Sequence, residues 1–486
     1  MRKKHNILFA CSELTPWVKT GGLADVCGSL PQALHRAGND VRVVIPGYES
    51  VLRQIDSPVF ISQLELPLGN VALCQTRLRA HDVLLITHPS FSNRPGNPYM
   101  SDDDRAWADN PYRFALFSQA VTEIALDRAQ LEWQPDIVHC NDWQTGLVPA
   151  LLTLHKPRPA TVFTVHNLAY QGNILHSAYT DLQLPAELFH ANGLEFWGQA
   201  SYIKGGLAYA DRVNTVSAGY AAEIRQNKYG CGMDGLLRSR GDRVSGILNG
   251  IDMDDWNPQT DPHLPQNYSL QTLDRKSANK AALQKEMRLP QDPEVPVFGV
   301  ISRLAEQKGI DLIINAISTL RTEQLQLVVL GSGDTELQTQ LLALQQDLPD
   351  KVAVKIGFSE PFSRLIEAGA DSFLMPSRYE PCGLNQMYSL RYGTPPVVTH
   401  VGGLADTVFD PDQGAEKANG FVIKNATSEY LAQGIQRVLT AFANKPLWHQ
   451  LQHNGMTTDF SWDESAQKYE TLYHCAINDI EANLTR

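Results

Sequence analysis

The chain has 486 residues, of which 43% are hydrophobic, and a formal net charge of −12. This length exceeds what one hydrophobic core usually supports, so two domains are expected. The acidic balance argues against a nucleic-acid or anionic-membrane partner, because both attract basic surfaces. No apolar run is long enough to span a membrane, and Ile7–Cys11 is too short for a signal peptide, so a cytoplasmic location is expected.

Seven cysteines are scattered along the chain without C-x-x-C spacing. Several lie inside apolar runs, which favours buried free thiols in a reducing compartment over disulfides. No cluster of histidines and cysteines has the spacing of a metal site, so no metal ion is expected. An anionic substrate would therefore have to meet a local group of lysine and arginine side chains.

The first apolar strand, Ile7–Ser12, leads into a turn that contains Lys19, Gly21 and Gly22. A helix and a second strand, Val41–Pro46, follow, which makes a βαβ unit. The glycine pair lets a ligand approach the backbone closely, and the lysine supplies positive charge. The spacing is not that of the G-x-G-x-x-G fingerprint, and a glycine pair alone is a weak signal.

Two later strands also end in polar turns. One precedes Asp142, and the other, Thr161–Val165, ends at His166. A single histidine at a strand end is more often structural, but the carboxyl ends of parallel strands open on one edge of the sheet, which predicts a site there. Residues 59–88 alternate like antiparallel hairpin strands, and the polar loop after them contains Tyr99, which either covers a site or simply packs.

The domain boundary is placed near residue 246, after a polar, linker-like stretch at 234–240. Residues 1–245 then form an N-terminal Rossmann-like domain, and residues 246–461 form a C-terminal one with its own strand–helix series. The pentapeptide Gly-Gly-Leu-Ala-Asp occurs at 21–25 and again at 402–406, each time after an apolar strand. The repeat, which chance would also explain, favours two similar doubly wound halves.

Arg303 and Lys308 lie in one turn between a strand and a helix. Two cations beside a helix N-terminus suit a pyrophosphate, which needs both positive charge and several N–H donors. The alternative is a pair of solvated basic residues. Arg303 directly follows an apolar strand, where an unpaired charge would be unfavourable, so we favour the phosphate site.

The stretch Met375–Tyr392 has the same organisation, with the end of an apolar strand, a turn at Pro381 and Gly383, and a helix. We expect Asn385 to cap this helix and Glu380 to present a carboxylate in the turn. Such a turn after a parallel strand is a common ligand site in α/β sheets. The alternative is an ordinary loop in which the glutamate is a solvated surface acid.

Six segments together resemble the glycogen/starch synthase family of bacteria and plant plastids. They are KTGGLADV (19–26), HCNDWQTGL (139–147), VHNLAYQG (165–172), LNGID (248–252), SRLAEQKGID (302–311) and RYEPCGLNQMY (378–388). The resemblance implies an α/β protein of the GT-B fold, in which two Rossmann-like doubly wound domains face a central cleft and a last helix, 462–486, completes the N-terminal domain. It also implies a hexosyltransferase that transfers glucose, with retention, from ADP-glucose to the non-reducing 4-hydroxyl of an α-1,4-glucan.

The resemblance assigns roles to individual residues, with the acceptor on the N-terminal domain and the donor on the C-terminal one. The catalytic group comprises Asp142, His166, Arg303, Lys308 and Glu380. The donor-binding group comprises Lys19, Gly21, Gly22, Asn249, Arg303, Lys308, Cys382, Gly383, Leu384 and Asn385. The sugar and acceptor cleft is lined by Asp25, Tyr99, Asp142 and His166.

Two positions depart from wider patterns. Many related retaining transferases carry a second glutamate at the position of Tyr388, whereas this chain, like the synthases, has tyrosine there. Asn385 stands where a threonine is expected. No pair of carboxylates of the glycosidase type is evident, so a covalent glycosyl-enzyme is not supported. We favour front-face transfer, in which the leaving phosphate accepts the acceptor's proton and no metal or other cofactor is needed.

Other functions stay open at this point. One is a nucleotide-sugar or glucan-binding protein without activity, and another is a glucan phosphorylase on the same fold, which would carry pyridoxal phosphate on a lysine. The expected partners are ADP-glucose and glycogen, with neither nucleic acid nor membrane. The choice between ADP- and UDP-glucose is open, and a homo-oligomer is possible.

Overall fold

The computed structural model describes residues 4–101 and 105–484. The chain divides into two compact units, the first made of Met1–Gly250 with Trp462–Arg486 and the second of Ile251–Ser461. Each unit has its own sheet, mainly parallel in the first and wholly parallel in the second, and each unit is described by itself below.

The first unit contains a nine-stranded sheet in the order β12-β11-β7-β6-β1-β2-β5-β4-β3 and a small antiparallel sheet of β8, β10 and β9. The strands are β1 Asn6–Ala10, β2 Asp40–Pro46, β3 Val59–Leu66, β4 Gly69–Leu78, β5 His81–Thr87, β6 Ile137–Asn141, β7 Ala160–Val165, β8 Asn173–Leu175, β9 Glu195–Phe196, β10 Gln199–Ser201, β11 Arg212–Thr215 and β12 Val244–Gly246. The strands from β12 to β5 run parallel, and β3 and β4 add an antiparallel hairpin edge. The predicted hairpin at 59–88 is therefore confirmed.

The helices of this unit include the crossovers that the parallel strands require. They are α1 Gly22–Arg36, α2 Glu49–Leu52, α3 Pro89–Ser92, α4 Asn110–Ala125, α5 Leu147–Leu152, α6 His176–Asp181, α7 Tyr202–Tyr209, α8 Ala218–Glu223 and α9 Asp234–Ser239. The linker-like prediction for 234–240 is wrong, because this stretch forms α9 and buries Asp234 and Leu237 despite its polar composition.

The second unit contains a six-stranded, wholly parallel sheet in the order β15-β14-β13-β16-β17-β18. Its strands are β13 Val297–Ile301, β14 Gln326–Gly331, β15 Val352–Ile356, β16 Ser372–Met375, β17 Pro396–Thr399 and β18 Phe421–Ile423. Its helices are α10 Lys276–Glu286, α11 Ile310–Thr319, α12 Thr335–Asp347, α13 Glu360–Gly369, α14 Asn385–Arg391, α15 Gly402–Thr407, α16 Ser428–Ala443 and α17 Lys445–Thr457. The continuous burial of β14, β16 and β17 is that of strands covered on both faces.

Both sheets have the strand order of a doubly wound fold. In the first, the chain reverses its direction of travel between β1 and β6, which are neighbours, and in the second it does so between β13 and β16. Ligands in open α/β sheets bind outside the carboxyl ends of the strands at such switch points. The turns after these four strands are therefore the places where function is expected.

The last helix, α18 Trp462–Leu484, packs on the first unit. Tyr473 shares a 2.8 Å hydrogen bond with buried His139 on β6, and the Tyr469 hydroxyl accepts one from Asn214 on β11. Arg212 adds a two-point ion pair to Asp479. No helix within residues 4–101 and 105–484 is long and apolar enough to cross a membrane.

Replacing Tyr473 with Phe is expected to destabilise the first unit by about 1–3 kcal/mol, because it leaves a buried imidazole nitrogen of His139 without its partner. Burial already lowers the pKa of His139 to about 3, so the ring does not compensate by taking a proton. Urea unfolding measures the change. Tyr229→Phe, which removes a hydroxyl with no hydrogen bond among the described residues, is the control, and equal stability of the two variants would contradict this account.

Candidate functional site

The switch point of the second sheet joins Lys308 to Glu380. Lys308 follows β13 and Glu380 follows β16, and the lysine Nζ donates to Glu380 Oε2 over 2.6 Å. Ser377 Oγ donates to the same oxygen over 3.0 Å. Glu380 is only 6% exposed, so its charge is balanced inside the protein rather than by water. The surface-acid alternative for Glu380 is therefore wrong.

The two turns are tied together by their backbones. Arg378 N–H donates to the Gln307 carbonyl over 2.8 Å, and the Gln307 side chain donates to the Tyr379 carbonyl. Arg378 also makes a bidentate pair with Asp311 and holds the pKa of that carboxyl below its ordinary value. Gly309, at φ +72°, lies so close to Pro376 that a Cβ would overlap its carbonyl oxygen. The Lys308–Glu380 pair thus rests on a rigid frame.

Arg303 occupies the same turn as Lys308, but its side chain is exposed and donates to Gln307 Oε1 over 3.4 Å. The argument that burial forces this arginine to find an anion is therefore wrong, because β13 ends before it and the chain emerges at the sheet edge. Its proximity to Lys308 along the turn still supports a role with an anionic ligand.

The predicted cap by Asn385 is also wrong. Helix α14 begins at Asn385, Leu384 occupies the N-cap position, and no side chain caps the helix. Asn385 Nδ2 instead donates to the Ile301 carbonyl over 2.6 Å, which ties the start of α14 to the end of β13. The neighbouring Cys382 is buried, and Gly383 adopts φ +71°, a conformation that favours glycine.

Beside the switch point of the first sheet, His166 follows β7 and is held in one orientation by a residue of β6. Its Nε2 lies 3.0 Å from Asn141 Oδ1, and Asn141 Nδ2 donates to the Ala10 carbonyl over 3.1 Å. Because the amide oxygen can only accept, the histidine proton sits on Nε2. Burial lowers the pKa of His166 to about 3, so the ring is neutral and its Nδ1 can accept a hydrogen bond.

Asp142, directly after β6, has a strained backbone with φ +59° and ψ −179°. This region is almost restricted to glycine, and such strain clusters at functional sites. The side chain is 7% exposed, and its Oδ1 has no hydrogen-bond partner among the described residues. Burial raises the pKa of Asp142 to about 7, against the opposing effect of backbone N–H donors, and the nearby Glu13 adds to the increase.

The turn before α1 contains the predicted glycines and lysine. Gly21 is the N-cap residue and Gly22 the first residue of α1. Lys19 Nζ pairs with Asp25 Oδ1 over 2.7 Å, so the predicted donor-side cation and acceptor-side acid neutralise each other in this structure. Asn249, after β12, is 5% exposed, and its Oδ1 has no partner among the described residues.

The sequence analysis missed Glu13. This residue follows β1, is 3% exposed, and accepts hydrogen bonds from Thr20, Gly21 and the hydroxyl of Tyr99. Burial raises its pKa despite these donors. Its position after an apolar strand at the switch-point edge was the available signal, the same one that identified Asp142. Within residues 4–101 and 105–484, no group of three or more His, Cys, Asp or Glu side chains could hold a metal ion.

Comparisons with known proteins agree with this architecture. The family model described as starch synthase catalytic domain matches residues 6–239, and the model described as glycosyl transferases group 1 matches residues 284–455. The glycogen synthase of Cellvibrio japonicus is 51% identical over 96% of this chain and 99% of its own. Glycogen synthase 1 of Methylococcus capsulatus is 49% identical over 98% of this chain and 97% of its own.

A solved structure is similar over the whole fold. The catalytic domain of starch synthase IV from Arabidopsis thaliana, bound to ADP and acarbose, matches with a TM-score of 0.88 and 32% identity, covering 98% of this chain and 100% of that one. Two Rossmann-like parallel sheets with charged turns at their switch points, together with these matches, define a glycosyltransferase of the GT-B fold. The chain belongs to the glycogen/starch synthase family.

Asp142→Asn is expected to stabilise the first unit at about pH 8 and to change it little at about pH 4. The folded protein holds a proton on this raised-pKa carboxyl that the unfolded chain releases, so the contribution of Asp142 to stability falls as the pH rises from about 4 to about 7. The amide removes this decline. Thermal unfolding across this range measures the effect, with exposed Asp181→Asn as the control. A stability difference that does not vary with pH would contradict the account.

Proposed function

We propose that the protein transfers glucose, with retention, from ADP-glucose to the non-reducing 4-hydroxyl of an α-1,4-glucan and releases ADP. The observation that carries this proposal is the Lys308–Glu380 pair at the switch point of the second sheet. In the proposal the lysine is the cation for a phosphate, and the carboxylate beside it accepts hydrogen bonds from sugar hydroxyls. The relatives named glycogen synthase and the ADP-bound starch synthase support the donor and the acceptor.

In this proposal the second unit binds the donor. Arg303 and Lys308 hold the diphosphate and offset the negative charge that grows on it as the glycosidic bond breaks. Glu380 accepts hydrogen bonds from the glucosyl ring, and its Oε1, which accepts none from the described residues, is the oxygen available for that purpose. The backbone from Cys382 to Asn385 completes the donor pocket. Lys308 thus exchanges part of its contact with Glu380 for the phosphate.

The adenine ring is assigned to Phe358. This side chain follows β15 and is 73% exposed, which is unusual for so large an apolar group. Strand β15 lies at the edge of the sheet, on the opposite side of β13 from β16. A donor with its sugar at Glu380 and its diphosphate at Lys308 would therefore extend its base in the direction of Phe358.

The first unit is assigned to the sugar and the acceptor. Neutral His166 and buried Asn249 form hydrogen bonds with hydroxyl groups along one edge of the glucose ring. Asp142 contacts sugar hydroxyls through its oxygen that lacks a partner among the described residues. Lys19, Gly21 and Gly22 contribute to the nucleotide-sugar side, and Asp25 and Tyr99 to the acceptor side. A sugar hydroxyl on Asp142 Oδ1 would supply the partner that this buried atom lacks.

Front-face transfer fits these groups. The bond from glucosyl C1 to the phosphate oxygen breaks, the acceptor 4-oxygen bonds to C1 on the same face, and its proton passes to the leaving phosphate. Arg303, Lys308 and Glu380 then stabilise the transition state electrostatically and form no covalent bond to the substrate. No cofactor enters this scheme.

The function is tested by supplying glycogen with labelled ADP-glucose or UDP-glucose and measuring the glucose incorporated and the nucleotide released. Incorporation from ADP-glucose, with product that α-amylase digests, is expected. Saturable binding without turnover would favour a glucan-binding protein. Glucan synthesis from glucose 1-phosphate alone, with release of phosphate, would favour a phosphorylase.

Glu380→Ala is expected to weaken transition-state binding by about 2–4 kcal/mol while leaving ADP affinity unchanged or higher. The variant removes a sugar contact and also frees Lys308 from its carboxylate partner. Lys308→Gln is the matched contrast, expected to weaken ADP and ADP-glucose together and to slow turnover. Calorimetry with ADP and steady-state rates distinguish the two, and weaker ADP binding by Glu380→Ala would contradict the assignment.

Phe358→Ala is expected to raise the KM for ADP-glucose about tenfold with little change in kcat, because stacking holds the base and not the reacting bond. Phe358→Tyr should behave like the wild type. Phe60→Ala, at another exposed phenylalanine (61%) on β3 of the first unit, is the control. A fall in kcat at unchanged KM would remove Phe358 from the base site.

A further inference from the structure

The buried carboxylate of Glu13 accepts four hydrogen bonds. Thr20 N–H and Gly21 N–H donate to Oε2 over 2.7 and 3.2 Å. Thr20 Oγ1 and the Tyr99 hydroxyl donate to Oε1 over 2.6 and 2.9 Å. An ionised carboxylate accepts about four hydrogen bonds, so these donors saturate it.

The Tyr99 hydroxyl is itself held by Ser12, whose Oγ lies 2.7 Å away. A phenol has one proton, and Tyr99 gives it to Glu13, so Ser12 donates to Tyr99. Ser12 and Glu13 are consecutive residues after β1. The end of one central strand therefore fixes the tip of the tyrosine.

The two segments that Glu13 joins differ in their other anchors. The backbone around Tyr99 is held independently, because Arg113 Nη1 donates to the Pro98 carbonyl over 2.8 Å and Asn110 Nδ2 to the Tyr99 carbonyl over 2.9 Å. For Thr20, both the N–H and the hydroxyl donate to Glu13. Loss of the carboxylate would therefore release the Thr20–Gly21 turn and leave the tyrosine hydroxyl with Ser12 as its one remaining partner among the described residues, while the tyrosine backbone stays anchored.

We propose that Glu13 is a positioning residue that sets the donor-side turn Thr20–Gly21 and the acceptor-side hydroxyl of Tyr99 with one carboxylate. This inference rests on the proposed function for the meaning of those two sides. Glu13 contacts neither substrate, because its oxygens are filled by protein donors. Both substrates are affected when it is lost.

Glutamine and alanine at this position separate positioning from charge. In Glu13→Gln, the amide oxygen can accept from the two backbone N–H groups, and the NH₂ group can donate to the Thr20 and Tyr99 hydroxyls, which reverse their roles. The turn is kept although the charge is gone. Glu13→Ala removes all four bonds.

Steady-state kinetics with ADP-glucose and glycogen test the proposal. Glu13→Ala is expected to lower kcat/KM for both substrates about 100-fold, the scale of a misplaced binding group, while Glu13→Gln stays within about tenfold of wild type. Glu123→Ala on α4, which removes a glutamate paired with Arg128 over 3.0 Å, is the control and should match the wild type. Equal damage from glutamine and alanine would show that the charge itself acts, and would overturn the proposal.

Hydrogen exchange gives a readout that does not depend on activity. In Glu13→Ala the amides of Thr20 and Gly21 should exchange faster, while the amide of Tyr99, which donates to Asn97 Oδ1, should not change. Unchanged exchange at Thr20 and Gly21, or faster exchange throughout β1 and α1, would overturn a local positioning role. Thr20→Val, which removes only the hydroxyl contact, provides a milder variant that should show a smaller effect on kcat/KM.

A double-mutant cycle with Tyr99→Phe completes the test. In the wild-type background, this change should raise the KM for glycogen, and in the Glu13→Ala background it should add less than about twofold, because the hydroxyl has already lost the carboxylate that sets its position. Additive effects would mean that Tyr99 does not act through Glu13. If the wild type incorporates no glucose from ADP-glucose, the proposed function fails, and the exchange experiment still decides the positioning of Thr20–Gly21.

Discussion

Parallel strands that are buried on both faces leave the sheet at the same edge, and this constraint determines where the chemistry of both units can lie. At each switch point, two neighbouring strands send their chains in opposite directions and leave a gap at the carboxyl ends. The turn after β13 carries Lys308 and the turn after β16 carries Glu380. In the first unit, the adjacent strands β1 and β6 carry Glu13 and Asp142 in the same way.

Three buried carboxylates at these edges differ in how fully hydrogen bonds and ion pairs offset the cost of their burial. Glu13 is saturated by four protein donors, and Glu380 is neutralised by Lys308 through one oxygen. Asp142 has a strained backbone and an oxygen without a partner among the described residues. A buried carboxyl oxygen without a partner is unfavourable, and the sugar hydroxyl proposed for Asp142 Oδ1 would supply that partner, whereas both oxygens of Glu13 are already occupied by protein donors. Glu380 lies between these two cases, because Lys308 and Ser377 occupy one of its oxygens and the other is the one assigned to the sugar in the proposed function.

The alternation of apolar strands and polar turns could be predicted from the sequence because it is local. The turns that hold Lys308, Glu380, Asp142 and His166 follow directly from it. What could not be predicted is the identity of the partner of each side chain. Asn385 has a side chain that could cap a helix, but its amide donates instead to the Ile301 carbonyl, on a strand far away in sequence.

Glu13 was missed for a related reason. Its four donors come from residues that are near it in sequence, such as Thr20, and from Tyr99, which lies far along the chain. No sequence pattern around a single glutamate after a strand predicts that donors from two separate segments will bind its carboxylate. The exposure of Arg303 was equally hidden, because the apolar run before it does not say where the strand leaves the sheet. Patterns of one segment predict elements, and contacts between segments determine the site.

The repeated pentapeptide shows how far the same residues can differ in role. In the second copy, a Cβ on Gly403 would overlap the carbonyl oxygen of Cys382, and Gly403 N–H donates to the Glu380 carbonyl over 3.2 Å, so this glycine packs against the turn that holds Glu380. In the first copy, Gly21 has an extended backbone that any residue adopts, and no described atom lies within 4 Å of an added Cβ. Packing within the protein therefore accounts for glycine at Gly403, the second position of the second copy, whereas Gly21 is the first position of its own copy. No such packing surrounds Gly21, and this open position leaves room for the nucleotide-sugar that the proposed function assigns to this turn.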